Sequence, residues 1–87
     1  MEKVKILWSG ITGRTGKEAE NIAKNSDSVE IVAGLSRSDS NYYSYDDLDN
    51  ISEDFDIIVD FSYKFSFDRV LDYALKVKKP IVIGTAG

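Results

Sequence analysis

Val4-Lys5-Ile6-Leu7-Trp8-Ser9-Gly10-Ile11-Thr12-Gly13-Arg14-Thr15-Gly16 is the stretch that decides the fold. A β-favouring run leads into three glycines spaced three apart, and a helical pattern starts at once. Strand, glycine turn and helix start, in that order, make a site for an anion. Glycine admits positive φ and lets backbone approach a ligand without a Cβ in the way. The first helical N–H groups lack partners within the helix, and the helix dipole favours negative charge there. A nucleotide pyrophosphate suits such a site. The spacing is G-x-x-G-x-x-G rather than the G-x-G-x-x-G fingerprint, and a tight strand-to-helix turn without a ligand would use glycine too.

Outward from that stretch the pattern repeats. Lys3–Trp8 reads as a buried strand and Arg14–Asn25 as a helix, with Thr15, Ala19, Ile22 and Ala23 on its expected core face. Asn25–Ser28 is a turn cluster, and Val29–Leu35 reads as a second strand, which closes a βαβ unit with a right-handed crossover. In Asn41–Asp56, Tyr42–Tyr45 suggests a short edge strand and Asp46–Ile51 a helical turn. Asp56–Ser62 is a further strand. Lys64–Lys78 is a helix with a Phe67, Val70, Leu71, Ala74, Leu75 stripe, ended by Pro80 before the strand Ile81–Ile83. Strands alternating with helices predict an α/β fold, a Rossmann-like doubly wound parallel sheet in three α/β/α layers. The expected strand order is 3-2-1-4-5, with the tyrosine run as strand 3. The ligand crevice is expected at the carboxyl ends of strands 1 and 4, where the order switches.

Four segments fall at strand carboxyl ends and supply the candidate cofactor contacts: Gly10, Ile11, Thr12, Gly13, Arg14, Thr15 and Gly16; Ser36, Arg37 and Ser38; Phe61 and Ser62; Gly84, Thr85 and Ala86. Ser36 lies twenty residues past Gly16, where dinucleotide folds touch the adenosine ribose. An acid there would accept the 2′-hydroxyl of NAD. Hydroxyls and an arginine instead suit the 2′-phosphate of NADP, although a solvated loop has the same composition. Phe61 and Thr85 lie towards the expected nicotinamide end.

Composition bounds the rest. The 87 residues make one small domain, with 43% hydrophobic and 30% charged residues and a net charge of −4. That charge argues against nucleic-acid or membrane-surface binding, and no apolar run matches a membrane span. Met1-Glu2-Lys3-Val4 leads into a strand without a signal-peptide pattern. The chain has neither cysteine nor histidine. No residue is therefore singled out as catalytic, and no metal site is expected. The acids Asp46, Asp47, Asp49, Glu53, Asp54 and Asp56 lack calcium-loop spacing and read as solvated surface.

With these segments in place the chain resembles the N-terminal domain of the 4-hydroxy-tetrahydrodipicolinate (dihydrodipicolinate) reductases of bacterial lysine biosynthesis. Gly10–Gly16 is similar to that family's Gly-x-x-Gly-Arg-Met-Gly. Val59-Asp60-Phe61-Ser62 matches its Asp-Phe-Thr/Ser strand end, and Lys79–Gly87 its Lys-Pro-Leu-Val-Ile-Gly-Thr-Thr-Gly, with Ala86 in place of the second threonine. The resemblance implies a cytoplasmic, NADP- or NAD-dependent oxidoreductase of the diaminopimelate route. It would pass hydride to a cyclic imine dicarboxylate and work as a homo-tetramer. It also implies that residues 1–87 are the nucleotide-binding fragment of a longer protein, with the His- and Lys-bearing substrate and tetramerisation domain elsewhere, so that the fragment alone is inactive. An atypical short-chain-dehydrogenase-like protein and a non-enzymatic nucleotide-sensing domain remain alternatives at this point.

Overall fold

A computed structural model describes residues 2–62 and 64–84, with the backbone alone at 64 and 65. The elements run β1 (Val4–Ser9), α1 (Arg14–Lys24), β2 (Val29–Leu35), a 3-10 turn (Leu48–Asn50), β3 (Ile57–Asp60), α2 (Lys64–Val77) and β4 (Ile81–Ile83). All the paired strands are parallel, in the order β2-β1-β3-β4. The chain steps from β1 outward to β2, then back across β1 to β3 and on to β4. Right-handed crossovers in opposite directions put α1 and α2 on opposite faces. The fold is Rossmann-like, and its topological switch point lies between β1 and β3, as expected.

Register fixes what each face carries. Leu7 pairs with Ile58 and with Ala33, and Trp8 pairs with Val59 and with Gly34. Leu7, Ala33, Leu35 and Ile58 form one core with Val70, Tyr73 and Ala74 of α2, closed by Tyr45 and Phe55 from the intervening loop. The opposite face carries Trp8, Val59 and Val82 and receives α1 over β2. Gly34 leaves room there for Ile11 of the glycine turn and for Tyr42: a Cβ on it would meet their side chains at 2.9–3.0 Å.

Three expectations change in detail. The tyrosine run is not a strand; a single parallel bridge joins Leu35 to Tyr43. Asp39 closes a turn beneath it, its carbonyl accepting from the Tyr42 N–H and its carboxylate from the Asn41 N–H. Ser44 then turns the chain away, its hydroxyl accepting from the Asp46 N–H and its carbonyl from the Asp47 N–H. Helix α1 is rotated from its expected face. Gly16 and Ala23 are buried while Ile22 is 68% exposed. A Cβ on Gly16 would lie 2.3 Å from the Ile11 carbonyl oxygen, so the first turn of the helix packs directly on the backbone of the glycine turn before it. Helix α2 turns likewise, burying Ser66, Val70, Tyr73 and Ala74 and leaving Leu75 70% exposed.

Candidate functional site

The loop after β1 is built by β2 and β3 as much as by its own residues. The Gly10 and Ile11 N–H groups both donate to the Leu35 carbonyl, at 3.0 and 3.1 Å. Gly10 has φ +85°, and a Cβ there would come within 2.8 Å of the Phe61 carbonyl oxygen. Ile11 is fully buried. Gly10 and Gly16 are therefore needed by the fold whether or not a ligand binds. Gly13 is different. Its φ of −73° and ψ of 173° suit any residue. A Cβ on it would meet only the Gly10 carbonyl oxygen, at 3.4 Å, an ordinary contact. Gly13 is the N-cap of α1, with no side-chain cap and no acid in the first turn. The loop thus keeps a position free of side chain, in the open, at a helix N-terminus whose charge nothing local offsets. That is a cradle of the kind a pyrophosphate fits.

At the carboxyl end of β2, Ser36 is 3% exposed and its hydroxyl is used internally. It accepts from the Ser38 and Asp39 N–H groups at 3.3 and 3.1 Å and shares a hydrogen bond with the Thr12 hydroxyl at 3.1 Å. Ser36 shapes the loop and ties it to the glycine turn. Arg37 and Ser38 are the exposed members of that trio, as Gly13, Arg14 and Thr15 are of the glycine loop.

At the carboxyl end of β3, Phe61 stacks on Trp8, with ring centroids 5.4 Å apart and planes 3° from parallel. A Cβ on Gly84 would fall 2.3 Å from the Phe61 ring, so this glycine is where the ring lies on the β4 exit. Ser62 is buried, its N–H donating to the Asp60 carboxylate at 3.0 Å. Thr85 and Ala86 lie outside the described residues.

Sequence reasoning passed over the polar cluster beneath the loop. Asp60 and Ser9 are fully buried, and Tyr45 and Ser66 nearly so. The Ser9 and Tyr45 hydroxyls share a 2.8 Å hydrogen bond. Burial pushes the Tyr45 hydroxyl above its ordinary value of 10, while hydrogen bonds to Ser9 and Ser62 oppose that rise. Polar residues ending two apolar strands, Ser9 and Asp60, were the available signal. Trp8 also carries a buried Nε1 without a hydrogen-bond partner among the described residues.

Two depressions lie on the β2 side of the molecule. One, of about 220 Å³, is lined by Arg37, Ser44, Tyr45, Asp46, Ser66 and Arg69, and the Tyr45 hydroxyl ties it to Ser9 at the end of β1. The other, of about 470 Å³, runs along the outer edge of β2 and includes no residue of the glycine loop in its walls. Among the described residues no group of acids is arranged to hold a metal ion, and no helix is long and apolar enough to cross a membrane.

Comparison with known proteins gives the same direction. The family model described as dihydrodipicolinate reductase, N-terminus, matches residues 4–87. The 4-hydroxy-tetrahydrodipicolinate reductase of Caldanaerobacter subterraneus subsp. tengcongensis is 31% identical over 86 residues, covering 97% of this chain and 34% of the relative. That of Zymomonas mobilis subsp. mobilis is 34% identical over 84 residues, 97% of this chain and 33% of the relative. That of Rickettsia rickettsii is 38% identical over 84 residues, 94% of this chain and 34% of the relative. The chain spans about a third of the length of these curated relatives.

Proposed function

The chain belongs to the dihydrodipicolinate reductase N-terminal family, and we propose that it forms the dinucleotide-binding part of a 4-hydroxy-tetrahydrodipicolinate reductase acting in lysine and diaminopimelate biosynthesis. The observation that carries this reading is Gly13, a glycine the fold does not need, at an uncapped helix N-terminus on the switch point. Gly10 to Gly16 hold the pyrophosphate, with the backbone around Gly13 nearest to it. Arg37 and Ser38 face the adenosine ribose, and Ser36 and Thr12 fix the loop that presents them. Phe61 and Ser62, with Gly84, Thr85 and Ala86 following β4, border the nicotinamide end. The bound dihydronicotinamide supplies the hydride that reduces a cyclic imine dicarboxylate. The residues of this chain bind and orient it; none is assigned a proton-transfer role, so these 87 residues alone are expected to show no turnover. The working protein is a cytoplasmic homo-tetramer in this reading.

Arg37 and the absence of an acid at Ser36 support a preference for NADPH over NADH. A hydrogen bond to a charged group contributes roughly 1.5–3 kcal/mol, about ten- to a hundredfold in affinity. Calorimetric titration of Arg37→Glu against the unsubstituted chain tests it. NADPH affinity should fall by about tenfold or more, with NADH little changed. Equal effects on both dinucleotides would remove Arg37 from the 2′-phosphate.

A further inference from the structure

The smaller cleft holds more positive charge than the loop after β2 alone would supply. Arg37 contributes from the end of β2. Arg69, on the second turn of α2, lines the same cleft from the other side. Among the described residues that line it, Arg37 and Arg69 are the cations and Asp46 is the acid, in a chain whose net charge is −4. Arg69 already holds an oxyanion there, its Nη1 donating to the Asp46 carboxylate. The two side chains are 57% and 78% exposed, and ion pairs this open to water are weak.

We infer that Arg69 is a second specificity-determining residue for the adenosine 2′-phosphate, with Asp46 as the internal competitor that the phosphate displaces. The inference rests on the dinucleotide reading above. With the pyrophosphate at Gly13, the adenosine half runs towards the carboxyl end of β2, where this cleft opens. A phosphate monoester brings close to two negative charges and three acceptor oxygens, against one charge and two oxygens from Asp46. A guanidinium presents a planar fork of donors that fits phosphate in two-point contact. Arg37 and Arg69 approach from different elements, so the cleft can hold the phosphate from two directions. With a ribose hydroxyl in place of the phosphate, Asp46 keeps Arg69, and the cleft offers that ligand no added charge.

The test titrates the full chain with 2′,5′-ADP and with 5′-AMP, which differ by the 2′-phosphate alone. Far-UV circular dichroism confirms that each variant is folded. The unsubstituted chain should bind 2′,5′-ADP the more tightly. Arg69→Leu should weaken 2′,5′-ADP by about tenfold and leave 5′-AMP within about twofold, with part of the loss restored by Arg69→Lys. Asp46→Asn should tighten 2′,5′-ADP by about two- to fivefold, the worth of an exposed pair. If Arg37→Leu costs 2′,5′-ADP affinity and Arg69→Leu does not, the inference about Arg69 is overturned and the dinucleotide reading stands. A loss equal for both nucleotides in Arg69→Leu also overturns it, because that marks a structural role. If the folded, unsubstituted chain binds neither nucleotide, the dinucleotide reading falls and takes this inference with it.

Discussion

Gly10, Gly13 and Gly16 look equivalent in the sequence and are not. The fold requires Gly10 and Gly16 and does not require Gly13. Gly10→Ala places a Cβ at positive φ against the Phe61 carbonyl, and Gly16→Ala drives one into the Ile11 carbonyl. Each should destabilise the chain by about 2 kcal/mol or more, read as a fall in the urea midpoint. Gly13→Ala, in extended backbone with open space beside it, should stay within about 0.5 kcal/mol. Spacing alone could not separate these roles, because they depend on which carbonyls β2 and β3 bring under the turn. Ser36 carries the same lesson. Its position at the strand end was legible, but the direction of its hydroxyl was not, since the turn through Asp39 decides it. Ser36→Ala strips the Ser38 and Asp39 N–H groups of their acceptor. It should cost about 1–3 kcal/mol and weaken nucleotide binding only through the displaced loop.

The four strands and two helices follow from patterning. Val29–Leu35 and Ile81–Ile83 have the bounds the sequence indicates, because β-branched runs between turn clusters leave little choice. The helix faces were less legible. Periodicity marks an apolar stripe but not its edges: Gly16 and Ala23 of α1 and Ser66, Val70, Tyr73 and Ala74 of α2 take the buried line, and Ile22 and Leu75 lie off it. Ile22→Gln and Leu75→Gln should therefore leave thermal stability within about 0.5 kcal/mol, whereas Val70→Ala, fully buried in the core, should cost about 1–3 kcal/mol. The residue types of the tyrosine run favour a strand, but Asp39 before it and Ser44 within it impose turns. Tyr45 instead points inward to Ser9. Its pKa is raised in the folded chain by burial. The stability linked to the neutral hydroxyl is therefore whole below pH 10 and is lost as pH rises through the higher folded value. Tyr42, raised by its hydrogen bond to Glu20, and Tyr73, raised by burial, act with the same sign. Tyr45→Phe should lower stability at pH 7 and flatten, without abolishing, the loss between pH 9 and 11, followed by urea midpoints.

At the scale of the whole molecule the sheet is unevenly covered. Val82 and Ile83 are each half exposed, and Phe61 is partly so, all towards the β4 side. Parallel sheets are normally covered on both faces, and open apolar edges recruit other chains. The 87-residue chain should therefore associate as its concentration rises, and Val82→Lys should shift it towards monomer in sedimentation. The fold class was legible because four segments fall at four strand ends, and the family because three motifs, Gly10–Gly16, Val59–Ser62 and Lys79–Gly87, carry it. The cleft between Arg37 and Arg69 was not, because only the folded chain brings α2 beside the loop after β2. The proposed function puts a pyridine dinucleotide over the glycine loop with its pyrophosphate at Gly13. The chain has a single tryptophan, Trp8, directly before that loop and stacked on Phe61. Its emission, transferred to bound dihydronicotinamide, reports occupancy of the site. NADPH titrated into the unsubstituted chain should give saturable quenching of Trp8 with sensitised dinucleotide emission. Gly13→Val should lose both while keeping its circular dichroism and melting temperature. Undiminished energy transfer in a folded Gly13→Val chain would contradict the account.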